Sequence, residues 1–374
     1  MPFVRALAQA GLRCDVFLAG RLGRGFVEPA LGSAFDATLT PMRRFTPWWR
    51  GDVVAAVRKA QPRAILLEHG ASLDFTWTLL ATHRMPGVPR ILWTHGIERS
   101  ELHSRRRSLA SIGRWFQLAL ADAILCYSRS IAQRVQDRFP TKIVGVAPNS
   151  TDGTPLLAAR RRLAAKGRPA LRAELSLPHR FYIAGLGRLV PEKEFHRLIP
   201  ILGLVKRAGH DVGLILVGGG PELPRIRELA TSAGYVERTD VVFTGPVSDP
   251  AALAQWLYCA DVCVNPGYLG LSVVDCLYSG LPVVSCAPGP RGPYHSPEWE
   301  YLQAGLTGWL ADSNSDEEMA ELTSQYLSMT AEERRGHEDA CVRFAETTLG
   351  VTPMVNGLLD VLAALGQTPG RVDA

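Results

Sequence analysis

The sequence predicts an α/β protein built from two Rossmann-like domains, and three features support this fold class. The chain has 374 residues, which exceeds the usual size of one domain, so two cores of comparable size are expected. Apolar residues make up 47% and charged residues 21%, a balance typical of globular rather than disordered proteins. Short apolar runs alternate with longer amphipathic stretches, which is the pattern of βαβ units around a parallel sheet.

The first half is predicted to form one of these domains. Strands are expected near residues 13–19, 63–68, 89–94, 123–127 and 143–147. Helical periodicity predicts helices at 52–60, 73–83, 108–120 and 130–138. The beginning is unusual, because residues 3–8 have helical spacing and no strand precedes them. Either the first strand of the domain lies before this start, or this version of the fold lacks it.

A linker is predicted where the composition changes, between Thr151 and Pro178. Prolines bound a basic run that consists of Arg160, Arg161, Arg162, Lys166 and Arg168. We therefore predict a first domain over 1–165 and a second over 166–345.

The second half repeats the alternation. Strands are expected near 181–187, 213–217, 241–244, 262–265 and 282–286, and helices near 194–208, 221–233, 250–258, 272–279, 316–328 and 331–347. Residues 346–374 are predicted to form a C-terminal helix and tail that pack back on the first domain.

Charge and cysteine content limit the class of protein. The net charge of +5 indicates a mild attraction to anionic partners, and no motif of a nucleic-acid-binding fold accompanies it. The seven cysteines include no CxxC pair, which favours a reducing cytoplasm. No stretch approaches about 20 uninterrupted apolar residues, so we expect a soluble or peripheral protein.

Trp115 and Phe116 follow a cluster formed by Arg99, Arg105, Arg106, Arg107 and Arg114. This cluster is either a site of peripheral contact with an anionic membrane or a solvated basic face.

The strongest motif runs from Gly267 to Val284 and is predicted to be a loop, a helix, a glycine stop and a strand. A helix that begins near Leu271 would point its free backbone N–H groups at the carboxyl edge of the sheet, where they favour a phosphate. Asp275, about one turn into this helix, is placed to accept hydrogen bonds from ribose hydroxyls. The alternative is a capping box formed by Ser272 and Asp275, with Gly280 as the C-cap.

Two further glycine-rich turns follow predicted strands. Gly185-Leu-Gly187-Arg188 and the nearby Lys193 would hold a diphosphate and neutralise its charge, or the two cations are solvated surface residues. This turn is not a complete dinucleotide fingerprint, because Val190 stands where GxGxxG needs its last glycine. The turn Gly218-Gly-Gly220-Pro-Glu222 is either a binding turn or only a tight βα connection.

The first half carries candidate polar residues at its own predicted strand ends. His95 and Glu98 follow the strand near 89–94, Glu68 follows the preceding strand, and Asn149 follows the last strand. A lone histidine at a strand end is either catalytic or structural.

Together these stretches resemble the retaining glycosyltransferases of family 4, which have the GT-B fold, and the likeness covers nearly the whole chain. The telling motifs are Gly187-Arg188 with Lys193, Val217 to Glu222, Phe243 to Val247, and Gly270-Leu-Ser-x-x-Asp275 running to Gly280 and Val284. The resemblance implies two Rossmann-like domains that face each other across a cleft. It also implies transfer of a sugar from a nucleoside-diphosphate sugar to a carbohydrate or lipid-linked hydroxyl acceptor, in cell-surface glycan, polysaccharide or glycolipid synthesis.

The resemblance also assigns roles by position. It implies that Arg188 and Lys193 bind the donor diphosphate, Asp275 the ribose, and His95 the reacting sugar and acceptor. His95, Arg188 and Lys193 are thus the expected catalytic residues. The donor site is expected to comprise Gly187, Gly218, Gly219, Glu222, Val247, Gly270, Leu271, Ser272, Asp275 and Glu298, and the acceptor side Glu68, Glu98 and Asn149.

One departure concerns the paired acids of the family, which would fall at Gly267 and Asp275 here, so the earlier carboxylate is missing. Glu298 is the candidate substitute. The alternative function is that of a non-catalytic sugar-nucleotide-binding partner. No Asp-x-Asp metal motif occurs, and we expect a reaction without metal or cofactor, in the cytoplasm or at the inner membrane face.

Overall fold

The structure is a computed structural model that describes residues 3, 6–7, 12, 57–68, 85–95, 109–289, 293 and 295–367. The chain divides into two compact units. The first comprises residues 1–148 and 351–374, and the second comprises residues 149–350.

The described part of the first unit contains a parallel four-stranded sheet. Its strands are β1 (Ile65–Glu68), β2 (Arg90–Thr94), β3 (Ala123–Cys126) and β4 (Ile143–Val146), and they lie in sequence order. Helices α1 (Leu109–Leu120) and α2 (Arg129–Arg138) connect neighbouring strands. Residues 57–60 are helical, as predicted. The strand predicted at 13–19 and the helix predicted at 73–83 lie outside the described residues.

The segment predicted as a linker forms two helices of the second unit, α3 (Thr154–Lys166) and α4 (Arg168–Glu174). That prediction was wrong because it took prolines as breakers, whereas Pro155 and Pro169 each occupy the first turn of a helix, where no N–H is needed. Arg160, Arg161, Lys166 and Arg168 pair with acidic side chains, for example Arg161 with Glu346 at 2.7 Å. The second unit therefore begins at Asn149, before the boundary at 165/166 that we predicted.

The second unit contains a parallel six-stranded sheet in the order β10-β9-β8-β5-β6-β7. Its strands are β5 (Phe181–Leu186), β6 (Val212–Val217), β7 (Val241–Gly245), β8 (Val262–Val264), β9 (Val283–Cys286) and β10 (Gly308–Ala311). The sequence reading missed β10, a four-residue edge strand. The helices are α5 (Leu198–Arg207), α6 (Leu223–Ser232), α7 (Pro250–Cys259), α8 (Ser272–Tyr278), α9 (Asp316–Ser328) and α10 (Ala331–Thr348).

This sheet is buried on both faces, because helices cover both sides of a parallel sheet. Every residue of β5, β6, β8 and β9 is buried. A buried carboxylate, Asp261, fixes the start of β8: it accepts hydrogen bonds from the backbone N–H of Tyr182 at 2.7 Å and from Arg172 at 2.6 Å. Asp261 therefore ties the start of β8 to β5 and α4.

The last helix, α11 (Val351–Ala364), belongs to the first unit and packs on β4 and β3. Gly357 allows this close packing, since a Cβ there would lie 2.0 Å from the backbone oxygen of Val146. Residues Ala331–Ala364 are long and apolar enough to span a membrane by length and composition alone. In the structure this stretch is two helices, α10 and α11, which belong to different units and are separated at Gly350, where φ is +92°.

Candidate active site

The strand order of the second unit locates a natural binding crevice. Strand β5 is central, β6 and β7 follow on one side, and β8, β9 and β10 follow on the other. The connections therefore change direction between β5 and β8. Ligands of open α/β sheets bind at such a switch point, outside the carboxyl ends of the strands. Two of the three glycine motifs singled out in the sequence follow these two strands.

Lys193 brings the two motifs together. Its side chain is only 9% exposed, and its Nζ lies 5.0 Å from the centroid of the Tyr268 ring. A Cβ on Gly270 would lie 3.7 Å from Nζ, and one on Gly187 would lie 3.8 Å from Cε. The loops after β5 and β8 thus converge on one buried cation. Arg188, by contrast, is exposed, as expected of a side chain that meets a ligand from solvent.

Gly267 allows the two loops to touch. A Cβ at this position would lie 2.5 Å from the carbonyl carbon of Lys193 and 2.6 Å from the backbone oxygen of Glu192. The neighbouring Tyr268 N–H donates a hydrogen bond to that same Glu192 oxygen at 2.8 Å. A carboxylate side chain therefore has no room at position 267 with the loops packed in this way.

The turn after β6 is built into the same edge. Gly218 has φ of +143°, and a Cβ there would lie 1.8 Å from the backbone oxygen of Gly187. Leu189 N–H donates to Gly219 O at 2.9 Å, and Gly218 N–H donates to Gly245 O at 3.0 Å. These glycines are required by backbone packing, and they also leave backbone exposed near the crevice.

Two predicted donor residues near this turn have other contacts. The backbone N–H of Glu222 donates to Leu189 O at 3.0 Å, and its carboxylate pairs with Arg225 at 3.1 Å. Val247 is partly buried and packs against the core cluster that also contains Val242. Neither contact places these side chains on a ligand, so their donor role stays a prediction.

Helix α8 begins at Ser272, next to the exposed Leu271, and no described side chain caps its first turn. The alternative of a Ser272–Asp275 capping box is therefore not what the structure shows. The glycine stop is present: Gly280 has φ of +66° and follows the helix.

Asp275 lies in the first turn of α8 with its carboxylate turned inward. Burial raises the pKa of Asp275 to about 6 from its usual 3.8, and the nearby Thr151 hydroxyl opposes that rise. A carboxylate in such a place is stabilised by any ligand that donates hydrogen bonds to it. Two adjacent ribose hydroxyls would be such donors.

Glu298 is almost completely buried, with 1% of the residue exposed. Its carboxylate accepts a hydrogen bond from the side-chain amide of Asn149, and Tyr301 donates to the backbone oxygen of Asn149 at 2.9 Å. We predicted Asn149 on the acceptor side with the first half. The structure places it in the second unit instead, because the chain leaves β4 and then bonds to the 3₁₀ helix Pro297–Tyr301.

That 3₁₀ helix is joined to the loop after β8 by the residues that precede it. The backbone N–H of Leu269 donates to His295 Nδ1 at 3.0 Å, and His295 Nε2 donates to Cys286 O at 2.8 Å. Tyr268 and Ser296 share a hydrogen bond between their hydroxyl groups. Glu298 follows His295 and Ser296 closely along the chain, so it lies just beyond a segment that is hydrogen-bonded to the loop after β8.

In the first unit, His95 directly follows β2 and is exposed. Its ring stacks on Tyr127, with centroids 4.1 Å apart and planes 24° apart, and Tyr127 stacks in turn on Trp93 at 5.0 Å. Glu68 is the last residue of β1, and Glu98 lies outside the described residues. The imidazole of His95 is thus presented to solvent from an aromatic base.

The comparisons with known proteins identify the family. Residues 3–153 match the family described as Glycosyltransferase Family 4, and residues 180–329 match the family described as Glycosyl transferases group 1. The chain belongs to the family 4 (group 1) glycosyltransferases.

Curated members of similar sequence include a GDP-mannose-dependent alpha-(1-6)-phosphatidylinositol monomannoside mannosyltransferase of Mycobacterium tuberculosis. It is 31% identical over 172 residues, which cover 42% of this chain and 42% of that protein. The chain therefore matches less than half the length of this curated relative.

Solved structures of similar fold include a glycosyltransferase from Rickettsia africae, with a TM-score of 0.69 and 13% identity, covering 98% of this chain and 93% of that one. Anabaena Alr3699/HepE in complex with UDP has a TM-score of 0.63 and 18% identity, covering 84% and 82%. At these identities the likeness shows the fold alone, and it confirms the predicted α/β GT-B fold for this glycosyltransferase.

Three further residues of this glycosyltransferase lie in or beside the loops of the candidate site and were not singled out from the sequence. Tyr268 and His295 were considered only as parts of longer motifs. Their positions, next to Gly267 and three residues before Glu298, could have singled them out. Asn265 carries a local signal that could have been used, since it is a polar residue at the end of the apolar run that forms β8. Within the described residues, no group of three His, Cys, Asp or Glu side chains is placed to hold a metal ion.

Proposed function

We propose that this protein is a retaining glycosyltransferase that moves a sugar from a nucleoside-diphosphate sugar to a hydroxyl acceptor. The observation that carries the proposal is the convergence of Gly187, Gly270 and the buried Lys193 at the switch point between β5 and β8. Glycines, which have no side chain, beside a cation suit a diphosphate, because it needs close approach to the backbone and neutralisation of its charge.

In the proposed complex, Lys193 and Arg188 neutralise the diphosphate as it leaves. The backbone of Leu271 and Ser272 contributes N–H donors, and Asp275 accepts hydrogen bonds from ribose. The base lies near residues 245–248, which include Val247. Two cations and preorganised donors can stabilise the leaving group electrostatically, so the proposed reaction uses neither metal nor cofactor.

Glu298 is proposed to hold the transferred sugar. Packing fills the space at Gly267, so an acid must reach the sugar from another segment, and the 3₁₀ helix Pro297–Tyr301 presents one. The hydrogen bond from Asn149 fixes this carboxylate, and a fixed acceptor can select hydroxyl groups by their position.

The proposed chemistry retains configuration. The acceptor hydroxyl oxygen attacks the anomeric carbon on the face that the diphosphate leaves, the bond from that carbon to phosphate oxygen breaks, and the proton passes to the departing phosphate. His95 is proposed to bind the reacting groups. Its exposed ring on Tyr127 supports this role, because the stacking limits the orientations of the imidazole.

The proposed acceptor is lipid-linked, and the proposed setting is glycolipid or cell-surface glycan synthesis at the inner face of the membrane. Curated relatives of similar sequence are named phosphatidylinositol monomannoside and dimannoside mannosyltransferases. In this chain Phe116 is 51% exposed on α1, which suits contact with lipid. Arg114 is buried, so it is not part of the exposed basic cluster that we predicted. The other arginines of that cluster lie outside the described residues.

A donor panel tests the proposal. The protein is incubated with sugar nucleotides that include GDP-mannose and UDP-glucose, with and without carbohydrate and lipid-linked acceptors. We expect one donor to be consumed and the product to keep the anomeric configuration. Binding without transfer or donor hydrolysis across the panel would support the non-catalytic alternative, for which the packed Gly267 is the motivating observation.

Retention of the protein by liposomes that contain acidic lipids at low salt tests the membrane contact.

A further inference from the structure

Asn265 is a buried polar residue at the switch point. It directly follows β8, and its side chain is 2% exposed. Its backbone is fixed on both sides: its N–H donates to Val284 O at 2.9 Å, and its backbone oxygen accepts from the Ser285 hydroxyl at 2.7 Å. The side chain therefore projects from a rigid part of the sheet.

The alternation of side chains along a strand shows which face Asn265 occupies. Val262 and Val264 belong to one core cluster, whereas Cys263 belongs to the other, which also contains Leu269 and Val273. Asn265 follows the parity of Cys263 and so lies on the face covered by α8. It is two residues before Gly267, at the base of the loop that meets Lys193.

The side-chain amide oxygen of Asn265 is buried and has no hydrogen-bond partner among the residues that the structure describes. Native proteins pair nearly all such atoms, because burying an unpaired amide oxygen costs stability. An apolar residue would continue the pattern of β8 at no such cost. A ligand that binds at this sheet edge could supply the partner that the described protein residues do not.

We propose that the Asn265 side chain is a specificity-determining contact that binds a hydroxyl group of the nucleotide sugar. The proposal rests on the proposed function, and it adds a residue that the family resemblance did not assign. The amide oxygen accepts the hydroxyl hydrogen, while the amide NH₂ can donate to a neighbouring ligand oxygen. A hydroxyl-rich ligand bound at this crevice would satisfy the buried group.

Asn265→Leu tests the proposal, because leucine has a similar size and cannot hydrogen-bond. We expect the donor found by the panel to bind about tenfold more weakly by titration calorimetry, the effect of losing one uncharged hydrogen bond. The melting temperature of the free protein should stay the same or rise, since a buried unpaired group is removed. Titrations with GDP and UDP locate the contact: a loss confined to the nucleotide sugar places it on the sugar, and an equal loss places it on the ribose.

Ser279→Ala is the matched control. The hydroxyl of Ser279 is also buried without a partner among the described residues, but it lies beyond the opposite end of α8. We expect the melting temperature of this variant to equal or exceed that of the native protein, and its affinity for the nucleotide sugar to be unchanged.

Several results would overturn the proposal. A lower melting temperature with unchanged binding in Asn265→Leu would show that the amide stabilises the fold, for example through a buried water. If Asn265→Leu fails to fold, Asn265→Thr and Asn265→Val replace it, because these two side chains have nearly the same shape and only threonine can hydrogen-bond. Equal affinity of both variants for the nucleotide sugar would also reject the contact. Failure of the native protein to bind any nucleotide sugar would instead reject the proposed function.

Discussion

The side-chain amide of Asn149 donates a hydrogen bond to the carboxylate of Glu298, a residue 149 positions further along the chain. Asn149 is the first residue of the second unit, and Glu298 is buried in a 3₁₀ helix of that unit. The pair joins a residue predicted for the acceptor side to one predicted for the donor side. It therefore gives the first test of how the sugar is held.

Replacing Glu298 by glutamine should impair transfer more than it impairs folding. Glutamine keeps the shape and can still accept from Asn149, but it loses the charge that would strengthen hydrogen bonds to sugar hydroxyls. We expect kcat/KM to fall roughly 10-fold to 100-fold, because hydrogen bonds to charged groups contribute about 1.5–3 kcal/mol. Affinity for the free nucleoside diphosphate should be unchanged. Glu300→Gln in the same 3₁₀ helix is the control, and an equal loss in both variants would contradict the assignment.

Removing the charge of Lys193 should cripple donor use. In Lys193→Met the buried cation that joins the two loops is lost, and we expect kcat to fall by about 10²-fold to 10³-fold, as when one stabilising donor is removed from a developing negative charge. Charge reversal in Arg188→Glu should also abolish most turnover, since it repels the diphosphate. Steady-state kinetics measure both effects. Arg207→Gln, an exposed cation at the end of α5, should behave as the native protein, and near-normal turnover in both site variants would reject the phosphate assignment.

The pH dependence of stability should reveal Asp275. Because burial raises its pKa from 3.8 to about 6, its contribution to stability is full below pH 3.8 and is lost as the pH rises through 6. Asp275→Asn, which stays neutral, should match the native protein near pH 4 and exceed it above pH 6 by about 1–3 kcal/mol. Unfolding at pH 4 and pH 7.5 measures this difference.

A second carboxylate provides a control of opposite sign. The pKa of Asp211 is lowered, chiefly by its hydrogen bond with His179, so its contribution is present above pH 3.8 and is lost as the pH falls below that value. Asp211→Asn should therefore be less stable than the native protein at neutral pH. If Asp275→Asn showed the same trend as Asp211→Asn, Asp275 would have to be paired in the free protein.

The packing at Gly267 predicts a costly substitution. In Gly267→Ala the added Cβ would meet the backbone of Lys193 at 2.5 Å, and backbone cannot move aside as a side-chain end can. We expect a loss of about 1–3 kcal/mol in unfolding free energy, together with weaker donor binding because the Lys193 loop is displaced. Gly336→Ala makes the same change within α10, where the added Cβ has no neighbour within 4 Å among the described residues. It should stabilise the protein by about 0.5–1 kcal/mol.

The fold could be predicted because its signals are local. Alternating apolar runs and amphipathic stretches specify strands and helices, and glycines mark the turns where backbones approach, so the two α/β halves and most of their strands could be placed along the chain from the sequence. Local signals misled where one residue type has two uses: Pro155 and Pro169 start helices rather than end a domain. The short β10 has too few residues to show a period.

The placing of the proposed phosphate-binding residues could likewise be predicted from the sequence, since Arg188, Lys193 and Gly270 follow strands whose carboxyl ends a parallel sheet gathers at one edge. The arrangement of the proposed sugar-binding residues was decided by tertiary structure. Only the folded chain shows that the backbone of Lys193 occupies the space beside Gly267, that Asn149 holds Glu298, and that Asn265 is buried without a described partner. These facts depend on contacts between residues that are distant in sequence, and no local pattern records which distant residue fills a space or pairs with a polar atom.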